Sequence, residues 1–129
     1  MPNPESSRYA ESHEWIALEG DEGVVGVSDH AQKEITDVVF VDLPKTGRTV
    51  AKGEAVAVVE SVKAAFDIYA PVSGEIIAVN EELSQNPALV NESPFDKGWL
   101  YRLRAADPKE VEALMDFSAY QKFLEAAAK

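Results

Sequence analysis

Lys63 is the residue whose chemistry stands out. It sits in the run Glu60-Ser61-Val62-Lys63-Ala64-Ala65, between two valine- and isoleucine-rich stretches. The chain carries 23 acidic residues, yet none falls within two positions of Lys63. Lysine offers a primary amine on a flexible four-carbon stem, which an enzyme can acylate if the amine is held out to it. Ala64 and Ala65 are small and leave that approach open. Taken alone, an exposed lysine is ordinary, so its context must decide. The other reactive side chains offer little. There is no cysteine, hence no thiolate nucleophile, no disulfide and no cysteine-based metal site. Any redox sulfur must arrive on a cofactor. His13 and His30 are far apart in sequence and lack metal-ligand spacing. Both read as structural or exposed residues. No nucleophile–base constellation is visible, so a non-catalytic protein with no metal is expected.

The elements that must position Lys63 read as strands. Alternating apolar runs occur near Glu14–Leu18, Gly23–Val27, Val38–Leu43, Glu54–Glu60, Phe66–Ala70, Glu75–Asn80 and Trp99–Arg104. Turn residues separate them at Glu19-Gly20-Asp21, Pro44-Lys45-Thr46-Gly47, Lys52-Gly53 and Ser73-Gly74. Lys63 then falls at or next to the tip of a hairpin, where a side chain projects into solvent. Asp29 with Gln32 predicts a short helix to about Ile35. Asp107-Pro108-Lys109-Glu110 combines an N-cap, a first-turn proline and a capping-box glutamate. Ser118 with Gln121 repeats the box. Residues 81–98, with two prolines and several turn formers, read as an irregular excursion with room for a helical turn. The stretch Gly53–Glu60 aligns with Gly74–Glu81 at an offset of 21 residues. A quasi-symmetric sandwich accounts for this if each copy supplies a turn and a strand with the same inward face.

Length and composition set the bounds. A chain of 129 residues, 46% hydrophobic, predicts one domain with a real core. The expected division is a sandwich core over about 13–104 and a helical tail over about 107–128. A formal net charge of -11 argues against nucleic acid and anionic membranes as partners. MPNPESSRYA has neither an apolar signal core nor the arginine content of a transit peptide, so a cytoplasmic address is expected.

The segment "ESVKAAFDIYAPVSGEI" resembles the lipoyl-attachment region of the glycine cleavage system H protein family. "SHEW", "EGDEGVVGVSDHAQ", "DVVFVDLPKTG", "AVNEEL", "PALVN" and "GWLYRLR" extend the resemblance, in the same order, over about residues 8–125. It implies a mainly β fold, a barrel-sandwich hybrid of two antiparallel sheets with a short inserted helix and C-terminal helices. It implies lipoate in amide linkage to Lys63. It also implies a carrier role: accepting an aminomethyl group from a glycine decarboxylase, passing it to a folate-dependent aminomethyltransferase, and being reoxidised by a lipoamide dehydrogenase. A lipoate ligase or lipoyl transferase would attach the cofactor. By motif position, Ser12, Glu14 and Asp67 are the residues expected to dock the arm. Outward-facing strand charges are the alternative for Glu14 and Asp67.

The sequence departs from the family pattern at two places. Phe66 replaces a small or polar residue, which would make the arm's bed more apolar. Ile35-Thr36-Asp37 stands where Leu-Gly is common, which leaves the local turn open. Two rival functions use the same residues: a lipoyl or biotinyl carrier of another system, and a module that only binds or relays lipoate.

Overall fold

The computed structural model describes residues 4–127. Among them, nine strands form two antiparallel sheets. They are β1 (Arg8–Tyr9), β2 (Glu14–Glu19), β3 (Glu22–Val27), β4 (Val38–Asp42), β5 (Thr49–Val50), β6 (Ala55–Ser61), β7 (Ala65–Tyr69), β8 (Gly74–Val79) and β9 (Tyr101–Ala105). The larger sheet has the order β1-β2-β3-β9-β8-β5 and the smaller β4-β6-β7. Neither order closes on itself, so the two sheets make an open sandwich. Their facing apolar residues, among them Ile16, Val25, Val41, Val59, Ile68, Ile76 and Leu103, form one core. The alternating runs thus become strands within a residue or two of the expected bounds. Strands β1 and β5 were not anticipated: two residues are too few to show a period.

Five α-helices are described: α1 (Asp29–Ile35), α2 (Glu82–Gln85), α3 (Leu89–Glu92), α4 (Pro108–Glu112) and α5 (Phe117–Ala127). The capping assignments need correction. The N-cap of α1 is Ser28, whose hydroxyl accepts from the Ala31 N–H at 3.1 Å. Asp29 instead accepts from the Gln32 amide at 2.9 Å, one turn further on. Asp107 does cap α4, accepting from the Lys109 N–H at 3.0 Å. Glu110 serves elsewhere: it accepts from the Ser73 N–H at 2.8 Å and the Ser73 hydroxyl at 3.2 Å, tying α4 to the start of β8. Helix α5 begins before Ser118 because Asp116 caps it, accepting from the Ala119 N–H at 2.8 Å. The expected end of the tail at 128 lies outside the described residues. The excursion over 81–98 holds α2 and α3, which bury Leu83, Leu89 and Val90.

Helix α5 closes a second, aromatic cluster over β1 and β2. Tyr120 stacks on Tyr9 with centroids 4.3 Å apart and planes 4° apart, and Trp15 stacks on Phe95 at 5.2 Å. Trp15 pairs across the strands with Gly26, and a Cβ there would meet the indole ring at 2.7 Å. The indole N–H donates to the Val27 carbonyl at 2.9 Å. A large side chain opposite a glycine is how the sheet admits this ring.

The internal repeat has a structural counterpart, with one correction. Its copies become β6 and β8, one in each sheet, and both carry a bulge at aligned residues, Ala55–Ala57 and Ile76–Ala78. They share an inward face only in part: Val59 and the aligned Asn80 are both buried, but Ala55 is exposed whereas the aligned Ile76 is buried.

The turn after α1 forms despite Thr36. This residue has φ 69° and ψ -156°, a region that costs any residue but glycine about 1–3 kcal/mol. Its N–H donates to Gln32 O at 3.0 Å. The Asn91 side chain clamps both sides of the turn, donating to Thr36 O at 2.7 Å and accepting from the Val38 N–H at 2.9 Å. Thr36→Gly is therefore expected to stabilise the protein. Relief of strain outweighs the extra chain entropy of glycine by about 1 kcal/mol. Urea denaturation measures it; an unchanged or lower midpoint would contradict the strain.

Candidate functional site

Strands β6 and β7 are joined through Ser61-Val62-Lys63-Ala64. Ser61 organises this tip. Its N–H donates to Ala64 O at 2.8 Å. Its hydroxyl oxygen accepts from the N–H of Lys63 at 3.2 Å and of Ala64 at 3.3 Å. A serine accepting from residues two and three positions on is a local turn former. The signal was present in the sequence, where Ser61 was read only as part of a motif. The Val62 N–H donates to Asp37 O at 3.1 Å, anchoring the tip to the chain just before β4. These bonds hold the turn without the Lys63 side chain. The lysine side chain is exposed, as are Val62, Ala64 and Ala65. Among the described residues no carboxylate pairs with its ammonium. The arrangement presents an unpaired amine on a hydrogen-bonded turn.

A cleft of about 150 Å³ lies along β7, lined in part by Ser12, His13, Glu34, Phe66, Asp67 and Ile68. Phe66 and Asp67 follow Lys63 by three and four residues on this strand. The structure therefore brings Ser12 and Asp67 to one cleft, with Phe66 as an apolar wall. Asp67 is exposed.

Glu14 is placed differently. It is buried, 2% exposed, so it is not the outward-facing charge that strand alternation allows. One carboxylate oxygen takes a short hydrogen bond from the Ser12 hydroxyl. The other accepts from the Tyr69 N–H at 3.1 Å. Burial pushes its pKa up to about 7 against the pull of these two donors. The group can thus gain or lose its charge near neutrality. It stands behind Ser12 rather than in the wall of the cleft. The buried Tyr101 hydroxyl, which has no hydrogen-bond partner among the described residues, is held in its neutral form, first by burial and then by the charge of Glu14.

The histidines, read as separate, meet in space. Their ring centroids are 4.8 Å apart. His13 Nδ1 lies 2.7 Å from the Tyr120 hydroxyl, and His30 Nε2 lies 2.7 Å from Glu34 Oε1. A contact between positions 17 residues apart leaves no local trace in the sequence.

Comparison with known proteins places this geometry. The family model "Glycine cleavage H-protein" matches residues 7–127. The chain is 54% identical over 123 residues to a glycine cleavage system H protein of Enterobacter sp. (strain 638), covering 95% of each chain. It is 51% identical over 128 residues to the one from Thermus thermophilus, covering 99% of this chain and 100% of that one. A crystal structure of a glycine cleavage system H protein from Mycobacterium marinum superposes with a TM-score of 0.84 at 32% identity, covering 98% of this chain and 100% of that one. No helix among the described residues is long and apolar enough to cross a membrane. Alike in sequence over nearly its whole length, and alike in fold, this chain belongs to the glycine cleavage system H protein family.

Proposed function

We propose that the chain is the non-catalytic carrier of the glycine cleavage system, with lipoate in amide linkage to Nζ of Lys63. The observation that carries this reading is the free, exposed amine on the turn that Ser61 organises. Bound there, lipoate would supply a disulfide–dithiol couple, the redox sulfur that a cysteine-free chain lacks. The protein's own residues position and shield. Lys63 anchors, and acylation removes its positive charge. The whole chain acts as one carrier unit.

The cargo, an aminomethyl group, ends in an amine that is cationic near neutral pH. The Ser12 hydroxyl and the Asp67 carboxylate, both lining the cleft, are suited to meet it. Phe66 keeps water from that side. Glu14 shares the Ser12 hydroxyl from behind and adds a second negative charge when ionised. A carrier that hides its load in this way protects it from hydrolysis between partners. Tethering makes each transfer a local event at high effective concentration. The partners are a glycine decarboxylase, an aminomethyltransferase, a lipoamide dehydrogenase, and the ligase or transferase that attaches lipoate. The bacterial relatives support a cytoplasmic setting.

Loaded carrier bearing Glu14→Gln and Asp67→Asn together is expected to lose its cargo about 10-fold faster than the parent. Of the two, only Asp67 faces the cleft, and one charge-assisted hydrogen bond is worth about 1.5 kcal/mol or more, about a factor of 10 in rate. Equal decay rates would take both residues out of the docking role. For the function itself, glycine-dependent exchange of carbon dioxide by the decarboxylase should require the lipoylated chain. Exchange that proceeds equally well with unmodified chain would refute the carrier reading.

A further inference from the structure

His13, His30 and Glu34 come from two separate elements and converge on one point. His13 lies on the turn before β2; His30 and Glu34 lie one turn apart on α1. One ligand-type atom from each falls within 4.8 Å of the others. Ligands at about 2.0–2.1 Å from a tetrahedral zinc ion stand roughly 3.3 Å apart. The His30–Glu34 pair is already closer than that, at 2.7 Å. Closing the remaining gap takes only side-chain rotation, and the side chains of His30 and Glu34 are 41% and 62% exposed and free to make it.

Two further features set this cluster apart from a chance encounter. The first is backbone strain. His13 has φ 77°, in the left-handed region that non-glycine residues rarely enter. Two hydrogen bonds hold it there: its N–H donates to Ala10 O, and its carbonyl accepts from the Ser28 N–H, both at 2.9 Å. A backbone held in this way sets the direction of the His13 Cα–Cβ bond. The second is an outer shell. His13 Nδ1 is engaged by the Tyr120 hydroxyl at 2.7 Å, and that hydroxyl lies 2.7 Å from Ser28 Oγ. Partners of this kind orient a metal-binding imidazole and leave its other nitrogen for the ion. His13 and Glu34 both line the β7 cleft, so one side of the cluster is open to further ligands.

We propose that His13, His30 and Glu34 form a binding site for a divalent transition cation of the zinc class, with an open coordination position facing the β7 cleft. Two imidazoles and a carboxylate suit zinc, cobalt and nickel rather than magnesium or calcium, which prefer all-oxygen shells. Its three ligands all come from the polypeptide, so binding can be measured on the chain before Lys63 is modified.

The test uses the full chain, untagged, unlipoylated and stripped with a chelator. Co²⁺ titration followed by visible absorption should saturate at one equivalent in the micromolar range, with the intense bands of a four- or five-coordinate ion. Zn²⁺ should displace it, and Mg²⁺ should not. His30→Ala, at a half-buried position, and Glu34→Gln, at an exposed one, should each weaken binding by at least about 10-fold. Tyr120→Phe, which removes the hydroxyl contacts to His13 and Ser28 but no ligand, should weaken it by about 10-fold. Saturation absent up to millimolar Co²⁺, or an affinity unchanged in His30→Ala, would overturn the proposal.

Discussion

Replacing Lys63 with arginine should abolish lipoylation and all carrier activity while leaving the fold as it is. The two halves of this outcome have separate causes. The turn is held by Ser61, whose N–H and hydroxyl engage Lys63 N, Ala64 N and Ala64 O, and by the Val62–Asp37 bond. The Lys63 side chain takes no part, and exposed substitutions of this kind move stability by no more than about 0.5 kcal/mol. Arginine keeps the positive charge and much of the stem. Its guanidinium stays protonated at any ordinary pH and cannot act as the acyl acceptor. Thermal unfolding of the variant should superpose on that of the parent. Glycine-dependent activity in the reconstituted system should fall to the level measured with no carrier added. Retained activity would move the attachment point to another residue.

The largest effect on stability is expected at Gly74. This glycine opens β8 within the "APVSGEI" stretch and pairs with Ala105 on β9. A Cβ there would lie 2.2 Å from the Arg104 carbonyl oxygen and 3.0 Å from the Arg104 carbonyl carbon. Both atoms are backbone, so no side-chain rotation relieves the clash. Either β8 moves away from β9, or the β9 backbone bends and weakens its pairing with β3. Overpacking typically costs about 1–3 kcal/mol, and sometimes more where the neighbour cannot yield. Gly74→Ala should therefore fall at or above about 3 kcal/mol and lower the melting temperature by roughly 10 °C. Denaturant unfolding measures this directly. A loss below about 0.5 kcal/mol, the usual surface value, would mean that the two strands are not in such close approach.

The sequence revealed what local chemistry encodes. Strands β2, β3, β4, β6, β7, β8 and β9 follow from alternation, and the turn between β6 and β7 follows from two such runs meeting around Ser61-Val62-Lys63. The exposure of Lys63 comes with it. Helix caps were recognised as regions but not as atoms. Ser28 and Asp29 are both good capping residues, and the choice between them rests on the backbone angles at Ser28 (φ -70°, ψ 166°). Glu110 had a capping-box position, yet Ser73, which is 37 residues away, offered it an N–H and a hydroxyl that only the folded chain supplies.

The environment of Glu14 was the least legible part of the site. In an alternating strand a glutamate reads as a solvent-facing charge. Its burial depends on the chain brought over it, notably the β7 backbone that donates from Tyr69, 55 residues on. The same holds for His13, whose partners Tyr120 and His30 arrive from α5 and α1.

The most direct test of the carrier reading is the mass of the chain after production with a lipoate-attaching enzyme and lipoate. The predicted result is a gain of one lipoyl group, mapped by peptide fragmentation to Lys63 and absent from the Lys63→Arg variant. No gain, a biotinyl group in place of a lipoyl group, or a lipoyl group on any other lysine would contradict it.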